Sequence, residues 1–346
     1  EIESTLLLVG DAGGPAAGEE PVLSALRTEA ARNSRRTVIV FLGDNVYPAG
    51  LPDSTSPGRA EAERRLVAQL DVSRSTGARA IFIPGNHDWA KHSAAGWAAI
   101  RRQGRFIRDV GGPLARLVPE EGCPGPAVVD VTVRLRLIAL DTQWWLQNGP
   151  KPHDPTSSCP ADSEREVEDS LAAALRAGAD RHVIVVAHHP LVSAGPHGGR
   201  FTLRDHLFPL RALAAWLWLP LPILGSLYPL ARLSGISPQD MSSPENRRMR
   251  AALKRALSEH PPLLYAAGHD HNLQVIKGSS ARYLVVSGAG IYGHQSSVGW
   301  RPRTTFAEAA SGFVRVDLLK NGRVRLAVLI VERTGRSKER YSIWLN

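Results

Sequence analysis

The chain has 346 residues, 43% of them apolar and 22% charged, a globular composition that excludes both a disordered chain and a multi-span membrane protein. Its 42 basic against 33 acidic residues give a formal net charge of +9 and a pI of about 10.0. That balance favours anionic partners such as phosphorylated substrates or an anionic membrane surface, and because the charge is spread along the chain no specific nucleic-acid footprint is read.

The chain opens at Glu1 rather than methionine, which reads as a processed or trimmed form and leaves a removed signal peptide or anchor open. Ser4 to Val9 predicts a strand that opens into Gly10-Asp11-Ala12-Gly13-Gly14. Pro21 to Asn33 predicts a helix, with proline at its start and Val22, Leu23, Leu26 and Ala30 inward. Thr37 to Leu42 is an unbroken apolar, β-branched run, as expected of a strand buried on both faces. Gly43 ends it, placing Asp44 and Tyr47 on the loop at its carboxyl end. The β-α-β order predicts that the two strands pair in parallel.

Pro48 to Gly58 reads as a surface loop, Arg59 to Thr76 as a helix and Arg79 to Ile83 as a third strand. That strand ends in Pro84-Gly85-Asn86-His87-Asp88-Trp89. Asn86 offers a neutral carbonyl ligand, His87 can donate a proton or hold an oxyanion, and Asp88 is expected to orient the His87 ring. Cys123 and Cys159 belong to no CxxC pair, which excludes a zinc knuckle or thioredoxin-like motif. A disulfide, fitting an oxidising compartment, and a pair of free loop thiols both stay open.

Val128 to Val133 and Leu135 to Leu140 predict a hairpin or one long strand, followed by Trp144 and Trp145, read as packing residues. Ser163 to Ala177 predicts a helix, with Ser163 as N-cap and Glu166 three positions on. His182 to Ala187 predicts another buried strand, ending in His188-His189-Pro190; His189 reads as a supporting residue. His197, in a glycine-rich loop, suits a proton donor or phosphate contact.

Leu207 to Leu233 is uncharged from Ala212 through Ala231 and carries Trp216, Trp218 and Tyr228, with Arg204, Arg211 and Arg232 at its flanks. The length is that of a bilayer span, but Pro220, Pro222, Gly225 and Pro229 interrupt it. A membrane-dipping hairpin, a lid packed on its own domain and a true span are the three readings. Pro244 to Glu259 predicts a basic helix, and Pro262 to Ala267 a strand ending in Gly268-His269-Asp270-His271. Arg282 to Ser287 is a further strand, and Phe313 to Leu319 with Arg323 to Val331 a hairpin around Asn321-Gly322.

Asp11, Asp44, Tyr47, Asn86, His188, His269 and His271 all fall just past the carboxyl ends of separate predicted strands, the edge at which open α/β sheets hold ligands. Seven donors suffice for two ions sharing Asp44, and ions about 4 Å apart hold phosphoryl oxygens and activate water. Carboxylate and phenolate favour Fe(III), while asparagine and two histidines suit Zn(II), Mn(II) or Fe(II).

At these residues the sequence resembles a known family. GDAG, GDNVY, GNHD, a strand-end AHHP and GHDHNLQ, in this order over residues 6 to 290, are similar to the metallophosphoesterase (calcineurin-like) superfamily. The tyrosine of GDNVY and Gly13 resemble its purple acid phosphatase branch. The resemblance implies a ferric ion on Asp11, Asp44, Tyr47 and His271, and a divalent ion on Asp44, Asn86, His188 and His269. It also implies that His87 and His197 bind substrate and supply the acid. Ala12 and His189 stand where that branch commonly has other residues, and the apolar insertion is foreign to its small members.

The expected fold is α/β, a four-layer αββα sandwich of two mixed sheets flanked by helices. One domain over 1–346 is expected, with an apolar insertion at 200–243. The expected activity is metal-dependent phosphomonoester hydrolysis, in which a metal-activated hydroxide attacks phosphorus. Its substrate would be a small phosphorylated molecule or a lipid phosphate, with 207–233 meeting a membrane surface. The alternatives are a phosphodiesterase acting on nucleotide or phospholipid, and a non-catalytic membrane-associated binding protein. An extracytoplasmic location, periplasmic or secreted, is expected.

Overall fold

The computed structural model describes residues 1–153, 157–212 and 217–345, with the main chain alone described at 211 and 212. In strand β1 (Ile2–Val9) successive side chains leave opposite faces, and all of Leu6 to Val9 are fully buried. Leu6 and Leu8 pack in one apolar cluster and Leu7 and Val9 in another, so β1 is covered on both sides. β2 (Thr37–Phe41) and β3 (Arg79–Phe82) repeat the pattern, with Val38, Val40 and Ile81 on one face and Ile39, Phe41 and Phe82 on the other.

The remaining strands of this first sheet are β4 (Ala115–Leu117) and, late in the chain, three whose numbers depend on the second sheet. That second sheet holds β5 (Ala127–Thr132), β6 (Leu135–Ala139), β7 (His182–Val186), β8 (Leu264–Ala267), β9 (Leu273–Lys277), β10 (Tyr283–Ser287) and β11 (Thr304–Glu308). The late strands are β12 (Gly312–Leu319), β13 (Val324–Val331) and β14 (Ser337–Trp344), and the first sheet runs β14-β13-β12-β1-β2-β3-β4. β1 to β4 are parallel, while β12 to β14 are antiparallel. The second sheet runs β11-β9-β10-β8-β7-β6-β5, parallel from β6 through β7 and β8 to β10 and antiparallel at its flanks. β5 and β6 form the hairpin rather than one long strand.

Leu6, Leu8, Val38 and Val40 of one sheet meet Leu137, Ile184, Val186 and Leu264 of the other. The outer faces carry helices: α1 (Pro21–Ala31), α2 (Arg59–Thr76) and α3 (Gly96–Gly111) cover the first sheet. A short α4 (Gln143–Leu146) buries Trp144 and Trp145, and α5 (Glu164–Arg176) covers the second sheet. A capping box between Ser163 and Glu166 opens α5. These are two mixed seven-stranded sheets flanked by helices, the expected four layers.

The insertion is broken into α6 (Leu203–Leu207), a 3-10 turn at Pro209–Ala212 and α7 (Leu227–Leu233), before α8 (Pro244–Ser258) returns to the second sheet. Trp216 lies outside the described residues. Among the described residues no helix is long and apolar enough to cross a membrane. Leu219, Ile223, Leu227 and Leu230 stand in solvent on the insertion, more than half exposed. Its other side turns inward, where Arg232, Gln239 and Asp240 reach the strand ends. Cys123 and Cys159 are joined as a disulfide.

Candidate metal centre

Parallel β1, β2 and β3 and parallel β7 and β8 bring their carboxyl ends to one edge of the sandwich. There the two sheets are stitched together: Gly10 N–H donates to Ser287 O at 2.7 Å, and Gly290 N–H to Gly10 O at 3.0 Å. The approach is close enough to require glycine. A Cβ on Gly85 would lie 2.2 Å from Asp44 N and 2.3 Å from Asp44 Oδ1, and Gly43 has φ +89° with His188 Nδ1 where its Cβ would be. Asp11 (φ 59°), Asp44 (φ 55°) and His269 (φ 72°) are held in the left-handed region, a strain concentrated at functional sites.

His188, His269 and Asn86 converge. His188 Nδ1–H donates to Leu42 O at 2.8 Å, and His269 Nε2–H donates to Gln239 O at 3.0 Å. Those bonds fix both tautomers and turn His188 Nε2 and His269 Nδ1 inward as lone pairs, 3.2 Å apart. Asn86 Oδ1 lies 3.0 Å from the first and 3.1 Å from the second. Three facing acceptors repel one another unless a cation lies between them. Bonds of about 2.0–2.1 Å to one ion place neighbouring ligands about 3 Å apart, so the donor set fits a first-row divalent ion.

Asp11, Tyr47 and His271 form a second group. Tyr47 O–H donates to Asp11 Oδ1 at 3.1 Å and lies 3.2 Å from His271 Nε2, itself 3.4 Å from Asp11 Oδ1. Burial, together with Asp11 and Asp44, pushes the Tyr47 phenol well above its usual value, so it stays protonated until a strongly charged ion displaces the proton. Asp44 lies between the groups: its Oδ1 is 3.5 Å from His188 Nε2 and accepts the His87 N–H at 2.8 Å. Oxygen atoms of Asp11 and Asp44 and a nitrogen of His188 all lie within 4.8 Å of one another. Burial raises the Asp44 carboxyl, but His188 and His87 outweigh it and hold its pKa low. Burial lowers His188 and His271, yet the facing carboxylates leave both raised.

All seven expected donors therefore meet at one edge. His189 also brings a nitrogen within 4.8 Å of His188 and His269. Its Nδ1 is taken by Thr142 Oγ1 at 2.8 Å and its Nε2 by Gln239 Oε1 at 2.7 Å, so it braces the site instead of offering a lone pair. The expectation for Asp88 is corrected. His87 Nδ1–H is oriented by Pro48 O at 2.6 Å, and Asp88 instead accepts from Gly85, Asn45 and Val46, clamping the Asp44 loop to the Asn86 loop. Burial and the facing Asp44 push Asp88 up to about 7.

His87 and His197 flank the donors. His87 Nε2 is 3.8 Å from Asp44 Oδ2, and the His197 ring packs on His269 with centroids 3.9 Å apart. His197 Nδ1 meets Asp240 Oδ1 at 3.0 Å and Arg232 Nη2 at 2.9 Å. Arg232 also grips Asp240, its Nε donating to Oδ2 at 2.8 Å and its Nη2 to Oδ1. The sequence points to none of Arg232, Gln239, Asp240 or His294 as a site residue. The first three lie in or just after a stretch whose dominant signal is apolar, and His294, in a loop, stacks on His271 at 4.5 Å with no strand directly before it.

The calcineurin-like phosphoesterase family model matches residues 4–218, more than half of the chain. Among solved structures the fold is similar to GAP50, the anchor in the inner membrane complex of Plasmodium: TM-score 0.59, 18% identity, 100% of this chain and 89% of that one. It is also similar to purple acid phosphatase PPD1 from yellow lupin (Lupinus luteus) seeds: TM-score 0.59, 13% identity, 99% of this chain and 53% of that one. At such identities the likeness concerns the fold. No curated protein matches the chain.

Proposed function

The chain belongs to the calcineurin-like phosphoesterase family, and we propose that it is a binuclear-metal phosphoester hydrolase acting first on phosphomonoesters. The observation that carries this reading is the ring of inward lone pairs at His188 Nε2, His269 Nδ1 and Asn86 Oδ1 beside the Asp11–Tyr47–His271 group. Asp11, Asp44, Tyr47 and His271 would hold Fe(III), and Asp44, Asn86, His188 and His269 a divalent Zn, Mn or Fe ion. Bound ions supply positive charge at the phosphoryl oxygens and acidify the attacking water. His87, oriented by Pro48 O with Nε2 toward Asp44, would bind a phosphoryl oxygen. His197, held at Nδ1 by the insertion, keeps Nε2 for the leaving oxygen, to which it delivers a proton. A diester substrate, nucleotide or phospholipid, is the runner-up.

The exposed leucines of the insertion support a membrane surface as partner, and the Cys123–Cys159 disulfide supports an oxidising, extracytoplasmic setting. The same leucines favour a second reading, a non-catalytic membrane-surface protein on this fold. Hydrolysis of p-nitrophenyl phosphate and its diester by iron- and zinc-loaded protein separates the two. Turnover with a visible tyrosinate–iron band is expected, and a colourless protein that turns over neither ester contradicts the hydrolase.

A further inference from the structure

The arginines and lysine of α8 fall into two stripes. Arg248 and Arg255 face α5, where they pair with Glu164 at 3.0 Å and Glu168 at 2.7 Å. Arg247, Arg250 and Lys254, at i, i+3 and i+7, share the other face, and among the described residues none of them meets a carboxylate. Arg250 spends its donors on Asn246 Oδ1 and Met241 O. Arg301, from the loop before β11, gives Nη2 to Gly198 O, while among the described residues its buried Nε has no hydrogen-bond partner. Arg250, Lys254 and Arg301 line a cavity of about 290 Å³ whose other walls include Leu191, Val192, Leu233 and Met241. Burial lowers all three, and neighbouring cations add to it: Arg247 and Arg301 at Arg250, Arg250 at Lys254, and Arg200 at Arg301. The carboxylate whose charge bears on Arg301 is Asp270, buried and already engaged by Ser193 Oγ and the His197 N–H.

Three uncompensated cations cost free energy unless an anion joins them. The pocket is just under the usual size of a ligand site, enough for one phosphate group and its attached carbons. Leu233 belongs both to its wall and to the exposed apolar face of α7, so an occupant held by the cations would leave the protein beside Leu227 and Leu230.

We propose that the pocket formed by Arg250, Lys254 and Arg301 beneath the insertion binds the phosphate headgroup of an anionic phospholipid, separately from the metal centre, with α7 seated among the acyl chains. This rests on the reading of the insertion as lipid-facing, and is independent of catalysis. The test is flotation of the whole chain with vesicles of phosphatidylcholine alone, or of an equimolar mixture with phosphatidylglycerol. Two charge-matched variants are compared: Arg250→Gln/Lys254→Gln in the pocket, and Arg248→Gln/Arg255→Gln on the paired stripe.

The pocket variant should lose about thirtyfold in partition to the anionic vesicles, roughly what two cations contribute at such a surface, while the paired-stripe variant stays near wild type. Equal losses would mean that net charge alone acts, and would overturn the pocket. Wild-type flotation unchanged in the pocket variant overturns it while leaving the lipid-facing insertion intact. Absence of wild-type flotation on either vesicle overturns both. Glycerol 3-phosphate is the soluble arm: it should compete for the pocket and release the protein from anionic vesicles, whereas binding of it at the pocket with no effect on flotation would assign the pocket to a free phosphoester and overturn the lipid.

Discussion

Asp44 answers to both halves of the donor set: its Oδ1 lies near His188, its charge bears on the Tyr47 phenol, and the His87 N–H fixes its orientation. Its neighbours are arranged so that protons sit on outward atoms and lone pairs face inward. The same logic applies at His197, where Asp240 meets Nδ1 and Arg232 pins Asp240. If His197 delivers the leaving-group proton, Asp240→Asn should lower kcat/KM for an alkyl phosphate by about one to two powers of ten. It should barely touch 2,4-dinitrophenyl phosphate, whose leaving group needs no acid, and turnover of that ester also reports that the variant folds. Equal loss on both esters would remove Asp240 from the proton path. Asp141, buried and accepting Trp89 Nε1–H at 2.8 Å, is pushed up to about 7 by burial. A folded pKa above the unfolded value of about 3.9 means that its stabilising share is full at low pH and is lost as pH rises toward 7. In metal-free protein, Tm followed from pH 4 to 7 should therefore fall more steeply for wild type than for Asp141→Asn; parallel curves would refute the shift. At this scale the sequence is informative where a glycine and a polar residue end an apolar run, because a strand end places a side chain without reference to the rest of the chain. Asp240, Arg232 and Gln239 are illegible, because only the folded path of the insertion brings them to the histidines.

Among the elements, α2 runs over Arg59–Thr76 as its pattern predicts, since helix periodicity and a C-terminal Gly77 are local signals. No helix is predicted over 96–111, yet α3 occupies it: Gly96, Gly104 and Gly111 mimic turn signals, while Ala99, Ile100 and Ile107 bury a face against the first sheet. β14 is also absent from the prediction, as an edge strand with mostly exposed or half-buried residues carries little apolar signal. The loops between strand and ligand are the least tolerant elements. Gly85→Ala forces a Cβ into Asp44, so the variant is expected to keep its circular-dichroism spectrum and lose bound metal. Full metal content in that variant would show that the Asp44 loop can yield. In the insertion, Leu227→Glu with Leu230→Glu should abolish vesicle flotation and leave p-nitrophenyl phosphate turnover within about twofold, because exposed substitutions cost little stability. Retained flotation would place the lipid contact elsewhere.

Over the whole molecule, the parallel pairing of β1 with β2 was legible from β-α-β order, but the pairing of β12 with β1 was not, since their partners lie some three hundred residues apart. The sandwich is what lets donors from β1, β2 and β3 meet donors from β7 and β8 across two sheets. The Cys123–Cys159 bridge, with a sequence separation of 36, fastens the loop ahead of β5 to the one ahead of α5. On loop-closure entropy it contributes about 4 kcal/mol, which urea unfolding of the oxidised protein against a Cys123→Ser/Cys159→Ser variant would measure. The account as a whole stands on a carboxylate shared between two ions. The most direct test is the number of metal ions bound per chain, by elemental analysis, in wild type and Asp44→Asn. Two ions in wild type and at most one in the variant are predicted; two ions in both would contradict the shared carboxylate.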